Sequence, residues 1–163
     1  MIAETKKLRP LPNWVTAAVN GSIRLALRVL CRLDLDQVEK IPMQGPLIVV
    51  TNHVNFLDAP IAFSHLYPRP LTALVKAETW RSPLLGPLFT MWDCIPIRRG
   101  EADLDAFQSA LDALNSNKML VIAPEGTRSG HGQLQRGHAG LTMLAIRSGV
   151  PILPAAFHGS EGI

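Results

Sequence analysis

Leu47-Ile48-Val49-Val50-Thr51-Asn52-His53-Val54-Asn55-Phe56-Leu57-Asp58-Ala59-Pro60 is the stretch on which the fold turns. Residues 47–51 form an unbroken apolar run of strand length, the pattern of a strand buried on both faces. The polar residues begin where that strand ends, and in open α/β sheets ligand sites form at the carboxyl ends of strands. A His and an Asp five positions apart lie about 140° apart on a continuous helix, at roughly 100° per residue. His53 and Asp58 therefore meet only if the chain turns between them. Asn55 tolerates turn geometry, and Pro60 suits the first turn of a new helix. Asp58 would then hold one ring nitrogen of His53 and leave the other free to take a proton.

Outward from this stretch, strands and helices alternate. Strands are expected at 71–75, 94–97, 119–123 and 152–157, and helices at 61–67, 102–115 and 139–148. Leu104, Phe107, Leu111 and Leu114 are expected on one face of the 102–115 helix. The alternation implies an α/β fold with a largely parallel central sheet flanked by helices. Before it, residues 33–39 alternate apolar and acidic and predict an edge strand. Residues 13–32 predict an N-terminal amphipathic helix with Arg24, Arg28 and Arg32 along one face. Two readings of that helix stand: a membrane-interface helix with its arginines toward lipid headgroups, or an ordinary amphipathic helix packed on the domain.

Charge is distributed unevenly. The 163 residues carry a net +3, yet residues 1–32, with Lys6, Lys7, Arg9, Arg24, Arg28 and Arg32 against Glu4, carry +5 and the rest −2. An anionic surface is the partner this predicts for the N-terminal segment. Nucleic acid is not expected, because the basic residues are not interleaved with aromatics and no nucleic-acid motif follows. No apolar run reaches the length of an ordinary transmembrane helix, and no signal-peptide pattern is present. Cys31 and Cys94 have no ligand spacing and read as reduced packing thiols. His65, His131, His138 and His158 read as structural or surface residues, without metal-ligand partners at suitable spacing.

Three more segments sit at strand ends. Ala123-Pro124-Glu125-Gly126-Thr127-Arg128-Ser129 offers glycine-permitted close approach, free amides for an anion and an arginine to fork onto phosphate; read alone, it is equally a polar turn. Ile95-Pro96-Ile97-Arg98-Arg99-Gly100 adds two arginines, and Val150-Pro151-Ile152-Leu153-Pro154 is apolar.

With these four blocks in order, the sequence resembles the 1-acylglycerol-3-phosphate acyltransferase family of glycerolipid acyltransferases. That family carries Asn-His-x-x-x-x-Asp, Ile-x-Ile-x-Arg, Glu-Gly-Thr-Arg-Ser and Val-Pro-Ile-x-Pro, which stand here at 52–58, 95–99, 125–129 and 150–154. The resemblance implies transfer of a fatty-acyl group from a thioester to the free hydroxyl of 1-acylglycerol-3-phosphate, giving phosphatidic acid, as a step of phospholipid biosynthesis. It makes His53 and Asp58 catalytic and assigns Arg99, Glu125, Gly126, Thr127 and Arg128 to the acceptor's phosphate region. Lys76 stands where many relatives carry a Lys before Glu-Leu, although this chain continues Ala77-Glu78-Thr79. Direct transfer is expected, with His53 as base, no cofactor and no metal, and acyl-CoA or acyl carrier protein as donor.

Other expectations stay open beside this one: a different lysolipid or amino-lipid acceptor, hydrolysis, or a non-catalytic peripheral membrane-binding domain. The expected organisation is a basic membrane-interface segment at 1–32 and an acyltransferase domain at 33–163, at the cytoplasmic face of a membrane as a peripheral or monotopic protein. Because such relatives continue well past the last block, a domain shortened at its C-terminal end is expected.

Overall fold

The five strands expected from 47–51, 71–75, 94–97, 119–123 and 152–157 all form, and all pair in parallel. In the computed structural model, which describes residues 12–100, 102–128, 133 and 135–159, β1 spans Leu47–Thr51, β2 Leu71–Lys76, β3 Ile95–Ile97, β4 Met119–Ile122 and β5 Ile152–Ala155. Their order across the sheet is β3-β2-β4-β1-β5, and every neighbouring pair is parallel. The strand β1 runs Leu47↔Met119 to Val50↔Ile122 against β4 and Ile48↔Ile152 to Thr51↔Ala155 against β5. Pro96 and Pro154 both fall in edge strands, where a residue without an N–H costs no interior ladder bond.

Helices cover both faces: α1 Asn13–Leu30, α2 Asp58–Leu66, α3 Leu85–Met91, α4 Leu104–Asn115 and α5 Gly140–Ser148. Because strand side chains alternate, β1 feeds two cores. Ile48 joins Ala106, Ala110, Leu114 and Leu144 on the α4/α5 side. Leu47 and Val49 join Phe63, Leu66 and Trp92 on the other side. There Trp92 stacks on Phe63 with ring centroids 4.6 Å apart and donates its Nε1 hydrogen to Asn20 Oδ1 at 3.0 Å. That bond fastens α1 to the second core.

Four sequence expectations are corrected. Residues 33–39 form no strand; only a short 3-10 turn occurs, at Val38–Lys40, and the edges of the sheet are β3 and β5. Leu104 is 75% exposed, and the packed face of α4 is centred on Ala106, Ala110, Ala113 and Leu114. Between β2 and β3 the chain forms a 3-10 segment, Ala77–Arg81, and then α3, neither of which was expected. Finally, α1 stops at Leu30 and Arg24 does not face outward. Its Nε donates to the Ser64 carbonyl and its Nη2 to the Tyr67 carbonyl at 2.7 Å.

These two carbonyls belong to the end of α2, where backbone oxygens lack helical partners and a cation is favoured. Arg28 and Arg32 are exposed, with Arg32 beyond the helix. The outward face of α1 is instead apolar: Trp14, Leu25 and Val29 are each at least 65% exposed. Lys6, Lys7 and Arg9 lie outside the described residues. Among the described residues no helix is long and apolar enough to cross a membrane.

Candidate active site

The loop between β1 and α2 is built around one carboxylate oxygen. Asp58 is buried, and its Oδ2 accepts the backbone N–H groups of Val54 at 2.8 Å and Asn55 at 3.0 Å. His53 Nδ1 lies 2.8 Å from the same oxygen. An acceptor serving two backbone donors fixes Nδ1 as a third donor, which leaves the Nε2 lone pair free. The turn required by the five-residue spacing is thus made by the acid itself. The His53 side chain remains 29% exposed, enough for one ring edge to meet a substrate. Pro60 falls in the first turn of α2, where its missing N–H costs nothing.

Strand register places the other candidates along the same edge. Val50 faces Ile122, so the chain leaving β4 towards Glu125 runs beside the chain leaving β1 towards His53. Neighbouring strands lie about 4.8 Å apart. Lys76 ends β2 on the far side of β4, and Arg99 follows β3, about 14 Å from β1 on the same spacing. The loop brings His53 and Asp58 into contact, the strand order puts the exit of β4, which leads to Glu125, beside that of β1, and the exits leading to Lys76 and Arg99 follow successively further out.

Glu125 is buried. Its Oε2 accepts the Gln135 N–H at 3.1 Å, and its Oε1 has no hydrogen-bond partner among the described residues. Gly126 has φ +66°, a backbone conformation that favours glycine, and a Cβ there would come within 3.1 Å of the exposed His138 ring. Free amides for an anion are expected here from sequence; the Gly126 amide is instead engaged, donating to the Ala123 carbonyl at 3.1 Å. Thr127 and Arg128 are exposed; Ser129 lies outside the described residues. Lys76 is half exposed and 3.9 Å from Glu78.

Of the paired arginines, Arg98 is engaged locally. It donates through its backbone N and Nε to Asp103 Oδ2, while Asp103 also caps α4 through the Ala106 N–H. The Arg98 guanidinium holds the Asp103 carboxyl below its usual pKa, against a smaller effect of burial. Arg99 is exposed. Sequence reasoning placed Asn52 in the block at this edge but not its bonds to Phe157, and it did not bring Gln135 or His138 to the edge; these contacts involve backbone groups or a glycine face and leave no side-chain pattern.

A cavity of about 240 Å³ opens at the opposite, amino edge of the sheet, lined in part by Asn20, Arg69 and Trp92. Asn20 Nδ2 and Arg69 Nε and Nη1 are buried and have no hydrogen-bond partner among the described residues. Among the described residues no cluster of three His, Cys, Asp or Glu side chains is gathered to hold a metal ion.

An open parallel sheet with an ordered His/Asp pair at the exit of an interior strand defines an α/β protein equipped for acid–base chemistry at the sheet's carboxyl edge. The sequence profile of the Acyltransferase family matches residues 32–158, and the chain belongs to that family. It is 35% identical over 112 residues to a lyso-ornithine lipid O-acyltransferase of Pseudomonas aeruginosa, covering 68% of this chain and 42% of that protein. It is 34% identical over 117 residues to a 1-acyl-sn-glycerol-3-phosphate acyltransferase of Limnanthes alba, covering 70% and 41%. The chain thus spans about two-fifths of the length of these curated relatives. The crystal structure of the 1-acyl-sn-glycerophosphate acyltransferase PlsC from Thermotoga maritima shares the fold, with a TM-score of 0.75 at 23% identity over 91% of this chain and 60% of that one.

Proposed function

We propose that the protein transfers a fatty-acyl group from an acyl thioester to the free hydroxyl of 1-acylglycerol-3-phosphate, forming phosphatidic acid. The observation that carries this reading is the His53–Asp58 pair, with Nδ1 held at 2.8 Å and Nε2 left to take a proton. His53 removes the hydroxyl proton as the oxygen attacks the thioester carbonyl, a general-base contribution of about 10²–10⁴-fold. Asp58 fixes the tautomer and stabilises the imidazolium. The carbon–sulfur bond then breaks, the His53 imidazolium gives its proton to the leaving thiolate, and the free thiol of CoA or acyl carrier protein departs; no cofactor enters. Arg128, Arg99 and Lys76 supply cationic character for the acceptor's phosphate, while Glu125, Gly126 and Thr127 shape the turn from which Arg128 extends.

The 35% identity to a lyso-ornithine lipid O-acyltransferase favours a second reading, in which the acceptor is an amino-lipid. The same transfer chemistry serves both. The test is an acyl-transfer assay over a panel of lysolipids with both donor types. Phosphatidic acid as the main product supports the first reading. Acylated ornithine lipid as the main product supports the second, and no transfer to any lysolipid overturns both.

The acceptor and product are amphiphiles, so the site works at a lipid surface. We further propose that α1 rests on the cytoplasmic face of a membrane through Trp14, Leu25 and Val29, with Arg28 and Arg32 near the headgroups.

A further inference from the structure

We propose that Asn52 is the positioning residue for His53, acting as a splice between the sheet and the acid–base loop; this rests on the reading of His53 as the base. The regular β1–β5 ladder ends at Thr51↔Ala155. Two residues further along the chain from Ala155, the Asn52 carboxamide takes over. Its Nδ2 donates to the Phe157 carbonyl at 2.8 Å, and its Oδ1 accepts the Phe157 N–H at 2.8 Å.

A carboxamide carries a donor and an acceptor, as a peptide group does, so the side chain replaces a rung of the ladder. The exit of β5 stays fastened without the backbone of residues 53–55 having to serve it. The N–H groups of Val54 and Asn55 turn instead to Asp58, the oxygen that also holds His53. Asn52 thereby sets the point at which β1 leaves the sheet, and with it the position of the imidazole. Among the ordinary side chains only Asn has both groups on a stem this short. Asp lacks the donor, Ala lacks both, and Gln displaces them by a methylene.

The experiment compares Asn52→Ala, Asn52→Asp, Phe157→Ala and His53→Ala in the full chain, by steady-state kinetics with each substrate varied and by side-chain NMR of ¹⁵N-histidine. A displacement of the base by about 1 Å costs on the order of 10²-fold in rate. In both Asn52 variants kcat is expected to fall by about that factor, with both KM values within threefold of wild type and an altered His53 Nδ1 resonance. Phe157→Ala keeps the backbone groups that Asn52 grips and is expected within twofold of wild type. Wild-type kcat and an unchanged His53 resonance in folded Asn52→Asp overturn the proposal. So does a kcat loss matched by an equal loss of folded protein. Turnover surviving in His53→Ala refutes the base assignment instead, and the NMR comparison still decides whether Asn52 places the ring.

Discussion

Asp58 stands in the first turn of α2, where an acid ordinarily serves the helix dipole, yet its side chain reaches backward. The bonds to Val54, Asn55 and His53 all lie upstream of the helix, so the residue organises the loop and does not cap α2. Asp58→Asn places an amide nitrogen or a weaker acceptor against two backbone donors, and the expected cost is about 1–3 kcal/mol of stability. It also frees the imidazole to rotate. Turnover should fall about 10²-fold or more, and His53→Ala should fall at least as far with the fold intact by circular dichroism. An unaltered rate in a folded Asp58→Asn protein rules out the orienting role. Arg99 and Arg128 are exposed at the same edge and lie on different strand exits. Replacing either by Ala should raise the acceptor's KM about tenfold, the loss of one charge-assisted bond, while leaving the donor's KM within twofold. A rise confined to the donor's KM assigns the arginines to the thioester.

At the scale of elements, α2 links the site to α1. Its start carries Asp58, and its end is closed by the Arg24 guanidinium on Ser64 and Tyr67. Beside this junction the pKa of His65 is lowered below 6.5, first by burial; its bond to the Ile61 carbonyl opposes the shift, and Arg24 and Arg28 add to it. The unfolded chain regains the ordinary value and binds the proton more readily. The stability tied to neutral His65 is therefore complete above about pH 6.5 and declines as pH falls through that value towards the lowered one. Thermal melts of His65→Gln should show a smaller drop between pH 7.5 and 5.5 than wild type; equal drops reject the assignment. The strand β1 was legible because an interior parallel strand buried on both faces leaves a nearly continuous apolar run such as residues 47–51, and the other four because short apolar segments alternate with helical ones. The dyad was legible through the resemblance of the Asn-His-x-x-x-x-Asp block; the spacing alone required only a turn, which Asn55 and Pro60 allow. Residues 33–39 misled because alternation signals a strand only where a neighbour supplies a ladder. α3 escaped notice because Gly86 and Pro87 break up its helical pattern. The roles of Arg24 and Asn52 were out of reach because their partners are backbone groups 40 and 105 residues away.

For the whole molecule, the correction at Arg24 changes what a lipid surface would meet. An outward stripe of arginines predicts binding that salt abolishes. The face α1 presents carries Trp14, Leu25 and Val29, at 73%, 65% and 75% exposure, with Arg28 and Arg32 as its exposed cations among the described residues. Full burial of each such side chain contributes about 1.5–3 kcal/mol, whereas each basic residue near an anionic surface contributes about 1 kcal/mol. On the proposed membrane contact, Trp14, Leu25 and Val29 would therefore contribute more than Arg28 and Arg32, and apolar burial is not screened by salt as charge attraction is. Replacing Trp14, Leu25 and Val29 together by Ser should remove sedimentation with anionic vesicles at low and high salt alike. Arg28→Gln with Arg32→Gln should weaken it only at low salt. None of the three apolar residues belongs to a packed core, so the Ser variant should keep its melting temperature within a few degrees and its turnover of a short-chain soluble acceptor within threefold. Its turnover of bilayer-held acceptor should fall in step with binding. Vesicle binding that survives in the Ser variant but vanishes with salt would return the contact to charge alone and take α1's outer face out of the interface.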